Sequence, residues 1–342
     1  MRLQLDAITH RSGAETHLYG IDLAPASGSI NVLLGATLAG KTSLLRIVAG
    51  LDTPSDGRVL VDGRDVTSVS VRTRNLAMVY QQFINYPSLS VYENIASPLR
   101  IRKLNAAEIK LRVGEIAESL RLTPYLDRHP AELSGGQQQR TALARALAKD
   151  ADLLLLDEPL VNLDYKLREE LRDELAQLLK TRNTTVVYAT TEPQEALQLG
   201  GHTAILAEGR LLQFGATFDV FRHPTSLAAA RAFSDPPLNV MTAQLFDRAL
   251  DRRATNLAVR AHRVRIARRD QHDFEITGQV ELAEISGSET YLHLAHRHGS
   301  LIAQLSGVHE FDIGASCSTF VNPHDLYGFD AQGNTVFAPE SA

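Results

Sequence analysis

Two patterns predict an α/β fold followed by a small all-β domain. Short aliphatic runs alternate with amphipathic helical stretches through the first two-thirds of the chain; after about residue 235, short alternating runs are cut by glycines. A third observation marks the chemistry-bearing edge of the α/β part. Gly35-Ala36-Thr37-Leu38-Ala39-Gly40-Lys41-Thr42 matches G-x-x-x-x-G-K-[ST] where an apolar run passes into a helical one. The 342 residues suit about two domains. With 44% apolar and 22% charged residues the chain can build cores, which excludes disorder as a description of the whole.

Residues 29–35 read as a buried strand. Residues 41–49 read as a helix, closed by Gly50 with Pro54 beyond it. Residues 58–61 form another strand candidate, ending at the turn pair Asp62-Gly63, and 76–80 another. Residues 153–156 and 184–189 are too apolar for a sheet edge. Buried strands separated by helices imply a parallel sheet covered on both faces. Leu167, Leu171, Leu175, Leu178 and Leu179 recur at helical spacing between residues 165 and 182. A helical subdomain is expected over about residues 83–150, with a helix at 106–122 and the prolines Pro87, Pro98 and Pro124. Pro236-Pro237 marks the expected boundary between domains 1–235 and 236–342; the second reads as a small β-barrel or sandwich.

The glycine-rich stretch has a direct chemical reading. A loop between strand and helix turns its backbone N–H groups inward, and the helix N-terminus adds a positive dipole end. Gly35, Ala36, Thr37, Leu38, Ala39, Gly40, Lys41, Thr42 and Ser43 would cradle the phosphates of a nucleotide. Lys41 supplies a point charge, and the Thr42 hydroxyl would ligate Mg²⁺. Leu38 and Ala39 stand where such loops often carry a further glycine, so a stiffer loop is expected. The run Leu153-Leu154-Leu155-Leu156-Asp157-Glu158 ends in two carboxylates at the carboxyl edge of the sheet. Asp157 would hold Mg²⁺, and Glu158 would polarise the attacking water.

A second cradle follows from Ser134-Gly135-Gly136-Gln137, a serine and two glycines before a helix expected at 139–149. One nucleotide cannot easily use both cradles of one chain. A head-to-tail dimer resolves this, with each nucleotide between the Lys41 loop of one chain and the Ser134-Gly135-Gly136 stretch of the other.

Together these motifs resemble those of the ATP-binding subunits of ATP-binding-cassette importers, of the sugar-importer type related to the maltose transporter's ATPase. Residues 1–235 resemble the cassette domain. Residues 236–342 resemble, through weaker motifs, the OB-like (TOBE-type) accessory β domain of such subunits. The resemblance implies ATP and Mg²⁺ as cofactors, two membrane permease subunits and a second ATPase subunit as partners, and a solute-binding protein acting indirectly. It implies a peripheral place on the cytoplasmic face of the cell membrane. Gln81 matches the glutamine at the Mg²⁺ site, and residues 86–91 match the stretch lining the groove for the permeases' coupling helix. Asp164, in Leu160-Val161-Asn162-Leu163-Asp164, matches the key residue of a loop crossing the dimer interface.

Two departures bear on function. Thr191, in Thr190-Thr191-Glu192, stands where the family has a histidine on the γ-phosphate; its hydroxyl can hydrogen-bond a phosphate but carries no switchable charge. Ser12, before Gly13, stands where the family has an aromatic ring under adenine, so stacking worth roughly 1–3 kcal/mol is missing unless Tyr19 or His17 supplies it. Both losses fall on the Lys41 half-site while the Ser134 half is intact. This predicts pairing with a non-identical ATPase, with homodimerisation as the alternative. Thr191-Glu192-Pro193 also resembles ATPases of bacterial glycerol importers, which work with two such chains.

Two other functional classes compete. A nucleic-acid-associated cassette ATPase would want a basic field, whereas the net charge is −5. The arginine run from Arg252 to Arg269 has no aromatic interleaving and reads as a solvated face, so no nucleic-acid partner is expected. A regulator that binds ATP without hydrolysing it is disfavoured by Glu158 and Gln81. His293, His296 and His298 are close in sequence but lack trusted zinc spacing, and Cys317, the single cysteine, reads as a buried small residue. No run approaches a membrane span of about 20 apolar residues, and Asp6 interrupts any signal-like start, which points to the cytoplasm.

Overall fold

The computed structural model describes the chain except residues 162, 164, 181–183, 244–250, 297–298 and 340–342, and describes only the backbone of 165–167 and 180. The chain divides into two compact units, Met1–Thr217 and Phe218–Ala342.

The first unit begins with β1 (Leu3–Ser12), β2 (Glu15–Leu23) and β3 (Ile30–Leu34), then α1 (Lys41–Ala49), β4 (Asp56–Val61), β5 (Arg64–Asp65) and β6 (Leu76–Val79). Three helices follow, α2 (Val91–Ile101), α3 (Ala106–Ser119) and α4 (Gly135–Ala148). It ends with β7 (Leu153–Asp157), α5 (Tyr165–Lys180), β8 (Thr185–Thr190), α6 (Pro193–Leu199), β9 (His202–Ala207) and β10 (Arg210–Ala216).

The main sheet runs in the order β10-β9-β3-β8-β7-β6, parallel from β9 to β6, with β10 antiparallel on one edge. Every residue of β3, β7 and β8 is buried, which explains their uninterrupted apolar sequences. The strand expected at 58–61 forms as β4 but not in this sheet. It joins the four-stranded antiparallel sheet β2-β1-β4-β5, because Val59 turns inward while its neighbours stay exposed or half-buried. Leu5, Ile8 and Val59 of that sheet share one core with Leu44 and Ile47 of α1 and Leu155 of β7. Burial of such side chains contributes roughly 1.5–3 kcal/mol each.

Register decides where the motifs emerge. Leu34 lies beside Thr190, and Asp157 beside Ala189, so β3, β7 and β8 end together on one sheet edge. Val79 pairs with Leu156, which brings the chain after β6 to the same edge.

Helices α2, α3 and α4 occupy the stretch expected to be helical. α4 starts at Gly135 rather than at 139. Ser134 is its N-cap in a reciprocal box: the Gln137 N–H donates to Ser134 Oγ at 3.4 Å, and the Ser134 N–H donates to Gln137 Oε1 at 3.0 Å. Two orphan donors are thereby satisfied, which lets the helix include both glycines despite their low propensity.

The second unit contains α7, which opens at the junction (Thr217–Arg222), α8 (Leu227–Ala232), and strands β11 (Asn239–Thr242), β12 (Asn256–Val259), β13 (Phe274–Ile285) and β14 (Glu289–His296). The remaining strands are β15 (Gly299–Ser306), β16 (Ser316–Val321), β17 (Tyr327–Phe329) and β18 (Thr335–Phe337). They form two antiparallel sheets, β11-β12-β17-β18 and β15-β14-β13-β16, sharing a core that includes Leu257, Val259, Val280, Leu292, Leu301 and Val321.

The division between units falls ahead of Pro236-Pro237, where the sequence break was expected. Arg260 gives the physical reason. It is 6% exposed, donates to the carbonyls of Phe233 at 2.9 Å and Phe221 at 2.8 Å, and lies 3.9 Å over the Phe221 ring. A buried guanidinium needs those acceptors, so the α7–α8 segment belongs with the β sheets.

Among the described residues no helix is long and apolar enough to cross a membrane.

Candidate functional site

At the shared carboxyl edge of β3, β7 and β8 lies a cleft of about 640 Å³. Thr37, Leu38, Gly40, Lys41, Thr42 and Ser43 line it from the loop and α1. Gln81, Glu158 and Thr191 line it from the ends of three other elements.

The loop is held by its backbone. The Gly35 N–H donates to the Thr190 carbonyl at 3.3 Å, and the Ala39 N–H to the Ala36 carbonyl at 3.1 Å. A Cβ at position 35 would sit 2.2 Å from the Leu206 carbonyl oxygen, so only glycine passes there. Gly40, at φ 99°, caps α1. Leu38 adopts φ 69° with its side chain 94% exposed, a left-handed conformation that costs a branched-chain residue about 1–2 kcal/mol. The missing glycine therefore leaves the loop's path intact but strained.

Lys41 is 4% exposed, and its Nζ donates to the Gly35 carbonyl at 2.7 Å and the Ala36 carbonyl at 3.0 Å. The same ammonium pairs with Glu158 Oε1 at 3.1 Å, and Gln81 Nε2 donates to Glu158 Oε2 at 3.2 Å. Lysine, carboxylate and glutamine thus form one chain of contacts across the cleft floor. Glu158 itself sits at φ 46°, a second strained position, with its N–H bonded to the Ala189 carbonyl at 3.0 Å.

Asp157 is 3% exposed and accepts from Thr42 Oγ1 at 3.0 Å. Burial pushes its carboxyl above the ordinary range and Glu158 adds to this, while the Thr42 bond and Lys41 work the other way. A buried carboxylate beside a hydroxyl offers hard oxygen donors of the kind Mg²⁺ takes, so these residues fit that ion. Elsewhere among the described residues no group of three or more His, Cys, Asp or Glu is placed to hold a metal, and His298 lies outside them.

Thr191 reaches the cleft from the end of β8. The segment behind it is anchored: Glu192 N–H donates to Thr190 Oγ1 at 2.9 Å, and buried Glu195 accepts from the Tyr188 hydroxyl at 2.9 Å. Burial pushes the Glu195 carboxyl up, against the pull of its bonds to Thr190 and Tyr188. Arg168 pairs with Glu192 at 3.4 Å and donates to the Val161 carbonyl at 3.1 Å, tying α5 to the loop after Glu158.

Ser12 does not line the cleft; it closes the β1–β2 hairpin opposite Glu15. The cleft wall is instead made by Glu15, Thr16, His17 and Tyr19 of β2. Tyr19 is 41% exposed, with the Arg210 guanidinium 4.4 Å over its ring. Glu208 and Gly209, which the sequence reading missed, complete this wall. Their turn joins both sides, since Tyr19 N–H donates to the Gly209 carbonyl at 2.9 Å and Gly209 N–H to the Ala39 carbonyl at 3.2 Å. A Cβ at 209 would meet the His17 carbonyl at 2.3 Å. The Glu-Gly pair between two apolar runs was the available signal.

Ser134, Gly135, Gly136 and Gln137 lie at the start of α4 and do not line the cleft. Asp164 lies outside the described residues. Tyr86 borders a separate groove of about 500 Å³ with Pro98, Ile101 and Arg145, the Arg145 guanidinium lying 4.7 Å over its ring.

Comparison with known proteins agrees with this geometry. Residues 18–161 match the ABC transporter family. The chain is 36% identical to the sn-glycerol-3-phosphate import ATP-binding protein UgpC 1 of Rhizobium etli, over 80% of each chain. It is 34% identical to UgpC of Pectobacterium atrosepticum over 96% of this chain and 98% of that one. It is 32% identical to the alpha-glucoside transport ATP-binding protein AglK of Rhizobium meliloti, over 98% and 99%. Among solved structures, the dimeric ATP-binding cassette MJ0796 bound to ADP and Pi superposes with a TM-score of 0.56 at 27% identity, covering 63% of this chain and 98% of that chain. The chain belongs to the ABC transporter family, as an ATP-binding ATPase that powers solute import.

Proposed function

We propose that two ATPase chains close on ATP to drive two permease subunits, and that the second chain is not a copy of this one. One observation carries the two-chain part of this reading. The cleft holds the Lys41 loop, Glu158 and Gln81 together, while the Ser134-Gly135-Gly136 cradle lies outside it. A phosphate-facing helix start with no nucleotide of its own makes sense when it completes a neighbour's site. The dimeric state named for the cassette MJ0796 supports the same arrangement.

In this reading Gly35 to Ser43 hold the triphosphate, and Lys41 leaves Glu158 to meet its outer phosphates. Thr42 and Asp157 would hold Mg²⁺, beside Gln81, and the ion would offset phosphate charge. Glu158, freed from the ammonium, accepts the proton of the attacking water. Thr191 donates to the γ-phosphate as a neutral group. Closure moves the groove at Tyr86 and with it the permeases, which places the chain at the cytoplasmic face of the membrane. A solute-binding protein delivers the solute to the permeases and does not touch this chain. The relatives' names, sn-glycerol-3-phosphate and alpha-glucoside, support a small carbohydrate or polyol derivative as the solute.

The departure at Thr191 favours a non-identical partner whose competent site this chain's Ser134 cradle completes. Isolating the assembled transporter and counting its ATPase chains by mass tests this. Two different chains are expected, and a single species ends the heterodimer reading.

Tyr19, rather than Ser12, is assigned to the base. It lines the cleft, with Arg210 held over its ring. Tyr19→Ala is expected to weaken ATP binding roughly 5- to 150-fold, a stacking loss of about 1–3 kcal/mol, with tripolyphosphate binding unchanged. Equal losses for both ligands in a titration would remove Tyr19 from this role.

A further inference from the structure

One guanidinium touches the two loops that carry Glu158 and Thr191. Arg168 sits in the first turn of α5 and does not line the ATP cleft. Its Nη2 donates to the Val161 carbonyl at 3.1 Å and to the Leu163 carbonyl at 3.3 Å. Its Nη1 pairs with Glu192 Oε1 at 3.4 Å. Val161 and Leu163 follow Glu158 on one loop, and Glu192 follows Thr191 on the other. Val161 itself lines the cleft, so Arg168 stands one contact behind it.

The loop after Glu158 is held loosely by its own backbone. The Val161 N–H donates to the Glu158 carbonyl at 3.3 Å, and the Leu163 N–H to the Leu160 carbonyl at 3.4 Å. Both lie beyond the ordinary amide range of about 2.7–3.2 Å. Leu160 and Leu163 pack on Leu171 of α5, but apolar contact has no direction and does not aim the carbonyls. Yet Glu158 keeps a strained φ of 46°, and strain persists only where the surroundings over-determine it. Arg168 supplies the directional contacts. On the other loop, the Thr191 hydroxyl swings about one stiff torsion and cannot make up for a displaced backbone.

We propose that Arg168 is a positioning residue for hydrolysis. It locks the Glu158 loop and the Thr191 segment at one spacing, so that base and donor meet the same γ-phosphate. The inference rests on the roles proposed for Glu158 and Thr191 in ATP hydrolysis. A guanidinium suits the task because its planar fork serves two carbonyls and a carboxylate together, where an ammonium acts as a point charge. Arg172, one turn further along α5, is 6% exposed and paired with Glu169 instead.

The test measures turnover in the assembled transporter, and ATP binding and thermal melting on the full-length chain. Arg168→Ala is expected to slow turnover roughly 10- to 100-fold, the scale of a misplacement of about 1 Å, with ATP affinity unchanged. Arg168→Lys keeps the charge beside Glu192 but loses the fork, and should recover part of the rate. The Arg168 side chain is 25% exposed, so added guanidinium ion can reach the vacated place. It should restore part of the turnover of Arg168→Ala and none of that of Glu158→Gln. Glu192→Gln removes one contact of three and should cost less; combined with Arg168→Ala it should add nothing. Parent-like turnover by Arg168→Ala, with Glu158→Gln inactive in the same assay, overturns the inference and leaves the base assignment standing. Turnover indifferent to Glu158→Gln removes the base and this inference with it. A loss of ATP affinity and melting temperature in step with turnover, without response to guanidinium, would make Arg168 merely structural and overturn the inference.

Discussion

Glu158→Gln is expected to lower ATP turnover by about 10²–10⁴-fold, the usual contribution of a positioned general base, while ATP still binds. The substitution preserves shape and leaves Gln81, now 3.2 Å from Glu158 Oε2, an oxygen acceptor on the glutamine side chain. It removes the proton acceptor and the counter-charge that holds Lys41 at 3.1 Å. With Lys41 no longer held back, ATP should bind at least as tightly, and the closed two-chain state should accumulate. Size-exclusion chromatography with ATP would show this as a persistent dimer. Undiminished phosphate release by the variant would strip Glu158 of the base role.

Lys41→Met is expected to act at the opposite end, weakening binding before hydrolysis is reached. Methionine retains an apolar stem in a site where Lys41 is 4% exposed, so packing is largely kept. The carbonyls of Gly35 and Ala36 and the Glu158 carboxylate all lose their donor. Loss of charge-assisted hydrogen bonds of about 1.5–3 kcal/mol corresponds to roughly a 10- to 150-fold drop in ATP affinity. Calorimetric titration reads it directly. The uncompensated Glu158 should also lower folding stability, so adding Glu158→Gln to Lys41→Met should restore part of it. Strictly additive losses in denaturant melts would show that the two side chains are not coupled.

Much of the fold was legible because local and tertiary demands agree. The strands β3, β7 and β8 read as buried runs since both their faces are covered, and α1 spans the predicted residues because Gly40 and Gly50 bound it on either side. Where a residue's role depended on a distant partner, the reading failed or stopped short. Residues 58–61 look like any strand, but their sheet is chosen by pairing with β1. Nothing local marks residues 218–235 as part of the second unit; the acceptors needed by Arg260 do so. The early start of α4 depends on the Ser134–Gln137 box, whose return stroke from Gln137 went unread.

The same division holds at the site. The phosphate loop, Asp157-Glu158 and the Ser134 stretch are short contiguous strings whose backbone geometry follows from residue type, so the sequence by itself points to them as the proposed triphosphate site. Only the tertiary structure decided how those strings meet. Parallel register brings Lys41, Glu158 and Gln81 to one edge, and the Glu208-Gly209 turn sets Tyr19 rather than Ser12 in the cleft wall. Arg263, Arg265 and Arg269 likewise line a concavity only once the segment between β12 and β13 has folded. The physical reason is range: backbone chemistry acts over a few residues, whereas charge pairing and burial act between segments the chain must first bring together.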